Sequence, residues 1–389
     1  MFGAELQVRS TTLHGFPPFP AWNGTVSAAA TDSRSLCSVL SANGELVVLQ
    51  SELKTGQDPT LKVLKVVPPI ADKFSSFCQC WTSDGSVVAT AHDRRVALYS
   101  TEDFRSLQEL QVRNAVTSMD ILKLPDTDAF LLLIGSLFGG FLYKIPTDGT
   151  IEATLEPVAQ VLNDIAICHV KFSPDGRTAA LGTVDGRLFL RTVDSSDEDS
   201  AAAFGNEELS KVLAAPRVTS MSFSSCCSKL VVATRKGNVY VFEKMSTTGL
   251  WRALASCEGL SANPKPTVGG AVGTNKAATA AQTLVSCWGP VFVVCSRALA
   301  SRLEMYDFES GQLLHSLQLT AAASSSTLNQ WVDEKLVTGM CSWRFEDGHS
   351  MLLCQDTDAN LVVVEWPFLD VIGRPTKRAS EIKLHSATN

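Results

Sequence analysis

Cysteine, histidine and glycine are the residues through which this chain would do chemistry, and their spacing limits what that chemistry can be. There are eleven cysteines. Cys78 and Cys80 are two apart in an apolar run, so on a strand they face the same way and present two thiols together. Cys226 and Cys227 are adjacent in a polar stretch, an arrangement poorly suited to sharing a metal, and no CxxC or HxxxH spacing lies nearby. Cys37, Cys78, Cys80, Cys168, Cys295 and Cys354 all sit inside apolar strand patterns, where a reduced thiol serves as a small hydrophobe. Of the six histidines, His169 lies in an apolar run before Phe172 and is expected to be a satisfied core residue, and His92 adjoins Asp93 at a turn. The glycine-rich run Gly135-Ser136-Leu137-Phe138-Gly139-Gly140 has no helix after it to bind phosphate. Walker, HExxH and Gly-x-Ser-x-Gly patterns are absent. The expectation is a chain with no catalytic residues, no cofactor and no metal, and with no small-molecule ligand.

Charge points the same way. The chain of 389 residues has 33 Lys and Arg against 40 Asp and Glu, a formal net charge of −7, which disfavours nucleic acid because phosphate contact needs clustered cations. Arg94-Arg95 and Arg235-Lys236 are basic pairs at equivalent turns, where they would form basic spots on one rim. The stretch Asp194–Glu208 cannot bury a core and reads as a mobile acidic loop, residues 194–208. Within it Ser195 and Ser196 each have an acidic residue three positions on, the spacing of an acidophilic phosphorylation site, where phosphate would attract a basic partner. A basic cluster, Arg374–Arg378, lies in the tail 371–389.

The elements that carry these residues repeat. Cys80–Tyr99, His169–Leu190, Ser222–Phe242 and Trp343–Trp366 superimpose as strand, polar turn, strand, turn, strand ending at a large apolar residue. The turns include Ser173-Pro174-Asp175-Gly176 with a weaker copy at Thr82–Gly85, and Asn43-Gly44, which accepts positive φ. Small sheets recurring at this period make a β-propeller. Charged residues are only 19%, as expected when most strands are buried on both faces. The fold expected is all-β, one propeller over 1–370 with seven blades at about 22–70, 71–113, 114–160, 161–215, 216–270, 271–320 and 321–370. Blade seven lacks a fourth strand, which residues 5–9 are expected to supply, with Glu381–Leu384 as the competitor. Residues 259–281 read as a flexible loop between blades five and six.

On these turns and this rhythm the chain resembles the WD-repeat (WD40-like) propeller family over most of its length. The strand-ending pairs are Tyr99-Ser100, Tyr143-Lys144, Phe242-Glu243, Tyr306-Asp307 and Trp366-Pro367 in place of Trp-Asp, and Gly-His occurs only at Gly348-His349. The histidine–aspartate network of standard repeats is therefore not expected. The resemblance implies a non-enzymatic scaffold, a subunit of a multiprotein complex whose partners are other protein subunits. Phe16, Phe19, Trp22 and Phe138 are the expected contacts, and surface apolar residues are expected to gather on one rim. Two alternatives remain: a nucleotide-exchange regulator of a small GTPase, and a reader of peptides or modified residues at the channel mouth. No apolar run reaches the ~18 residues of a membrane span. Met1–Ser10 does not read as a secretory signal, so a cytoplasmic or nuclear location with reduced cysteines is expected.

Overall fold

The computed structural model describes residues 7–12, 26–31, 34–40, 44–52, 60–69, 77–124, 129–146, 155–194, 203–257, 283–289, 291–296, 302–318, 337–344, 350–356 and 360–365. Phe16, Phe19, Trp22, Ser195, Ser196, residues 259–281 and the tail 371–389, with Glu381–Leu384, lie outside them.

The described strands form seven four-stranded antiparallel sheets. The first strand, β1 (Gln7–Thr12), belongs to the last sheet. Blade one is β2 (Val26–Thr31), β3 (Arg34–Leu40), β4 (Leu46–Glu52) and β5 (Thr60–Val67). Blade two is β6 (Phe77–Trp81), β7 (Val87–His92), β8 (Arg95–Ser100) and β9 (Ser106–Gln111). Blade three is β10 (Ser118–Lys123), β11 (Ala129–Ser136), β12 (Gly139–Pro146) and β13 (Ala159–Val161). Blade four is β14 (Ile167–Phe172), β15 (Thr178–Thr183), β16 (Arg187–Asp194) and β17 (Ala203–Val212). Blade five is β18 (Val218–Phe223), β19 (Lys229–Thr234), β20 (Val239–Lys244) and β21 (Trp251–Cys257). Blade six is β22 (Thr283–Trp288), β23 (Val291–Ser296), β24 (Arg302–Asp307) and β25 (Leu313–Gln318). Blade seven joins β26 (Val337–Arg344), β27 (Ser350–Asp356) and β28 (Asn360–Glu365) to β1, which pairs with β28 from Gln7↔Glu365 to Thr12↔Asn360. The N-terminal strand thus closes the ring, as its alternation of apolar and polar residues predicts. The first strands of the blades, β2, β6, β10, β14, β18, β22 and β26, contact one another in a closed circle around the axis.

The core lies between the sheets. Successive side chains of a strand point to opposite faces, and β11, buried along its whole length, shows the consequence. Phe130, Leu132 and Ile134 enter the wedge against blade two with Cys80, Val96 and Leu98. Ala129, Leu131 and Leu133 enter the wedge against blade four with Val170, Leu181 and Phe189. β23 divides likewise, with Phe292 and Val294 toward blade five and Val291, Val293 and Cys295 toward blade seven. Each fully buried side chain of this size contributes about 1.5–3 kcal/mol. The aromatic residues that stand where the family places Trp-Asp fill these wedges: Tyr99, Tyr143, Phe242 and Tyr306 each pack toward the preceding blade.

One recurrent turn fixes the step from first to second strand. In Ser173–Arg177 the Ser173 hydroxyl accepts the Thr178 amide (2.9 Å), Asp175 accepts the Arg177 amide (3.1 Å), and Gly176 takes φ +71. Thr82, Asp84 and Gly85 (φ +68) repeat it in blade two. Blade five repeats it with Ser224, but Cys226 stands where the aspartate belongs and Cys227, at φ +58, where the glycine belongs. The adjacent cysteines are therefore a variant turn.

Two sequence expectations are corrected. Residues 194–208 are not one loop: from Ala203 the chain is β17, the ten-residue outer strand of blade four. The polar composition belongs to an outermost strand, which needs few apolar residues because one face and one edge meet water. His169 is buried, as expected, but not satisfied: its Nδ1 has no hydrogen-bond partner among the described residues. Burial, with the nearby Lys171 charge, pushes its pKa down to about 3, so the imidazole is neutral.

Candidate partner-binding rim

Three regions of a propeller can act on another molecule: the axial channel and the two rims. The channel side is occupied with holding the blades together. Side chains of one first strand bond the backbone of the next. Ser118 accepts the Val170 amide (3.2 Å), Thr219 donates to the Thr283 carbonyl (2.7 Å), and Ser222 accepts the Cys287 amide (2.9 Å). Asp120, buried, accepts from the Phe172 amide (2.8 Å) and pairs with Lys171 Nζ (2.8 Å). Burial works against the Lys171 charge, but the Asp120 carboxylate outweighs it and raises the lysine pKa. The thiols here are inert. Burial pushes Cys78, Cys168, Cys287 and Cys341 up to about 12, and Cys37, Cys80 and Cys354 also rise, so none is a thiolate at neutral pH. Among the described residues no cluster of His, Cys, Asp and Glu could hold a metal ion.

The rims differ in sign. The turns between first and second and between third and fourth strands share one rim. There Asp84, Glu102, Asp103, Asp175 and Asp194 are exposed, beside Arg105, Lys123 and Arg177. Lys123 pairs with Asp84 (3.1 Å) and Arg105 with Asp103 (3.6 Å). β16 ends at Asp194 on this rim.

The opposite rim carries the turns between second and third strands and the links from blade to blade. Backbone hydrogen bonds tie them into an arc over blades two to five. The Val112 and Val116 amides donate to the Arg94 and Asp93 carbonyls (2.8 and 2.7 Å), and the Asp164 amide donates to the Phe138 carbonyl (3.2 Å). The Arg217 amide donates to Val184, and the Arg235 amide to Arg217 (2.9 Å each). On this arc lie Arg94, Arg95, Arg113, Arg187, Arg217, Arg235 and Lys236, against Asp93, Asp164 and Asp185. Arg187 is neutralised by Asp185, whose carboxyl it holds below the usual range. Arg94, Arg95, Arg113 and Arg235 are exposed and have no salt bridge among the described residues. The excess of positive charge is local to this arc, in a chain whose total is −7.

Among these cations stand exposed apolar side chains: Leu137 and Phe138 at 57% each, Val184 and Val212. Leu137-Phe138 is a two-residue hairpin tip between Ser136 and Gly139, which face each other in register. The tip is stiff, since the Phe138 amide donates to Ser136 Oγ (3.0 Å). Gly139 has φ +130, and an added Cβ would meet the Val161 carbonyl oxygen at 2.9 Å. A large apolar residue held this rigidly loses little entropy on being covered.

Of the expected contact residues Phe138 lies among the described ones, exposed at the hairpin tip, and Arg94-Arg95 and Arg235-Lys236 fall on its rim. Arg113, Arg217 and Val212 escape the sequence because the links from blade to blade have no repeating signature; only the ring brings them beside the hairpin turns, one of which carries Val184. The gathering of apolar residues on one rim is partial. Val63, Leu64, Leu107 and Leu313 are exposed on outer strands, and Leu250 on the acidic side.

No family model and no curated protein matches the chain. Among solved structures it is similar to the β-propeller domain of Cps50 (Swd1) from Myceliophteria thermophila. The TM-score is 0.58 at 11% identity, over 91% of this chain and 98% of that one. The likeness supports the WD40-like propeller architecture and carries no residue correspondence. Among the described residues no helix is long and apolar enough to cross a membrane.

Proposed function

We propose that this protein is a non-enzymatic interaction scaffold, a propeller subunit of a larger protein assembly, and that the basic, apolar-studded arc over blades two to five is its principal contact surface. The observation that carries the reading is the concentration on one rim of exposed arginines with no salt bridge among the described residues, together with the rigid Leu137-Phe138 tip. On the other side of the balance, the described thiols lie buried or half-buried in strands or at the blade-five turn, and the Lys171–Asp120 pair is used between blades, so the described residues bring together no acid, base and nucleophile. The likeness to the Cps50 (Swd1) propeller domain supports the reading at the level of architecture only.

Gentle affinity purification of the full chain from its native cells, with mass spectrometry and sizing, tests it. The expected result is a stoichiometric assembly far larger than the 41.8 kDa chain. Elution as a lone chain of that mass would overturn the scaffold reading.

A further inference from the structure

The charge and shape of the rim also specify its partner. Resting on the scaffold reading above, we infer that the arc from Arg94 to Lys236 binds an acidic protein segment in which large apolar side chains are interleaved with Asp and Glu.

The cations are arginines with a single lysine: Arg94, Arg95, Arg113, Arg217, Arg235 and Lys236. A guanidinium presents a planar fork that pairs with a carboxylate through two parallel hydrogen bonds, whereas an ammonium acts as a point charge. Arginine also loses hydration at lower cost when an interface closes over it. Phe138 and Leu137, projecting among these forks, give the segment's apolar side chains something to pack on, and Val184 and Val212 extend that surface over blade four.

Uniform polyanions match less well. Asp93 and Asp164 stand among the cations, and Asp185 is held against Arg187. A nucleic-acid backbone or an anionic membrane presents charge at every position and would meet these carboxylates. A peptide places its acids where the arginines are and its apolar residues elsewhere. The chain as a whole is also negative, which opposes long-range attraction of an extended polyanion but not a short segment already within the ~8 Å Debye length of the rim.

The test is fluorescence anisotropy on the full chain with a fluorescein-labelled peptide of repeated Asp-Glu-Phe units. Comparators are its Asp-Glu-Ala counterpart, a labelled single-stranded DNA, and phosphatidylserine-containing vesicles read by sedimentation. The variants are Arg94→Glu combined with Arg235→Glu, Phe138→Ala, and Arg177→Glu on the opposite rim as control. All four side chains are exposed, so folding is checked by melting and expected to be unchanged. Binding of the Asp-Glu-Phe peptide is expected to exceed that of Asp-Glu-Ala, to weaken about tenfold or more in the double reversal and in Phe138→Ala, and to survive Arg177→Glu. The inference is overturned if the peptide does not bind, if the phenylalanines add nothing, if the rim variants bind like wild type, or if DNA or vesicles are bound instead. These outcomes separate from the scaffold reading. A chain that ignores the peptide yet still purifies in a large assembly loses only the partner chemistry. A chain that purifies alone loses the scaffold role whatever the peptide does.

Discussion

Two adjacent glutamates make the sharpest test of the architecture, because one bolts two blades together and the other faces water. Glu208 lies on β17 with its side chain only 9% exposed. Its carboxylate pairs with Lys244 Nζ (2.8 Å), and accepts from Trp251 Nε1 (3.0 Å) and Thr178 Oγ1 (3.1 Å). Lys244 and Trp251 belong to blade five, so the cluster crosses the wedge. Lys244 Nζ also lies 5.8 Å from the Trp251 ring centroid. Glu208→Ala leaves an indole N–H without its acceptor and a lysine without its counter-ion. Breaking a buried pair costs about 3–5 kcal/mol. Lys244 retains 28% exposure and can recover part of its hydration, so the low end, about 3 kcal/mol, applies. For 389 residues unfolding as one unit, an unfolding entropy of ~2 cal/mol/K per residue turns this into a Tm drop of about 4 °C. Glu207 pairs with Arg191 at 3.2 Å from a side chain 40% exposed, and Glu207→Ala is expected to cost below about 1 kcal/mol. Urea denaturation of both variants, with Lys244→Ala and the double mutant to complete a cycle, measures the difference. Equal, small effects at both positions would show that 203–208 behaves as a loop and would refute the assignment of β17.

Acid sensitivity should trace to His169. Its folded pKa of about 3 lies below the unfolded value near 6.5, so on acidification the unfolded chain takes the proton first and stability falls from about pH 6.5 downward. The loss by pH 5 is about 2 kcal/mol, and His169→Leu should flatten that part of the stability profile; parallel profiles would refute it. Cys227→Gly should stabilise by about 1 kcal/mol, measured by denaturant midpoint, because a non-glycine residue at φ +58 is strained there. Gly186→Ala should destabilise by more than about 2 kcal/mol: φ is +85, and the new methyl would collide with the Ala215 backbone carbonyl, which cannot move aside.

The propeller was legible because its determinants are local. Ser173-Pro174-Asp175-Gly176 and Asp185-Gly186 dictate their own turns, and apolar strands such as Ala129–Ser136 announce burial on both faces. The closing strand was legible from the alternation over Glu5–Arg9, although the pairing described runs three residues further, from Gln7 to Thr12. Outer strands were less so. Glu207 and Glu208 look alike in sequence, and only the register of β17 against β16 sends one to solvent and the other into a wedge. His169 lacked its expected partner because nothing in the sequence states what the neighbouring blade offers it. The rim was half legible: turn equivalence put Arg94-Arg95 and Arg235-Lys236 on one side, whereas Arg113, Arg217 and Val212 joined them through contacts between blades.

Hydroxyl-radical footprinting of the free chain against the purified native assembly asks whether the arc over blades two to five is the covered face. Leu137 and Phe138, equally exposed at the hairpin tip, should both lose reactivity in the assembly, while Leu250 on the acidic rim keeps its own. Protection of Leu250 with Leu137 and Phe138 still reactive would place the partner on the acidic rim and refute the basic arc as the contact surface.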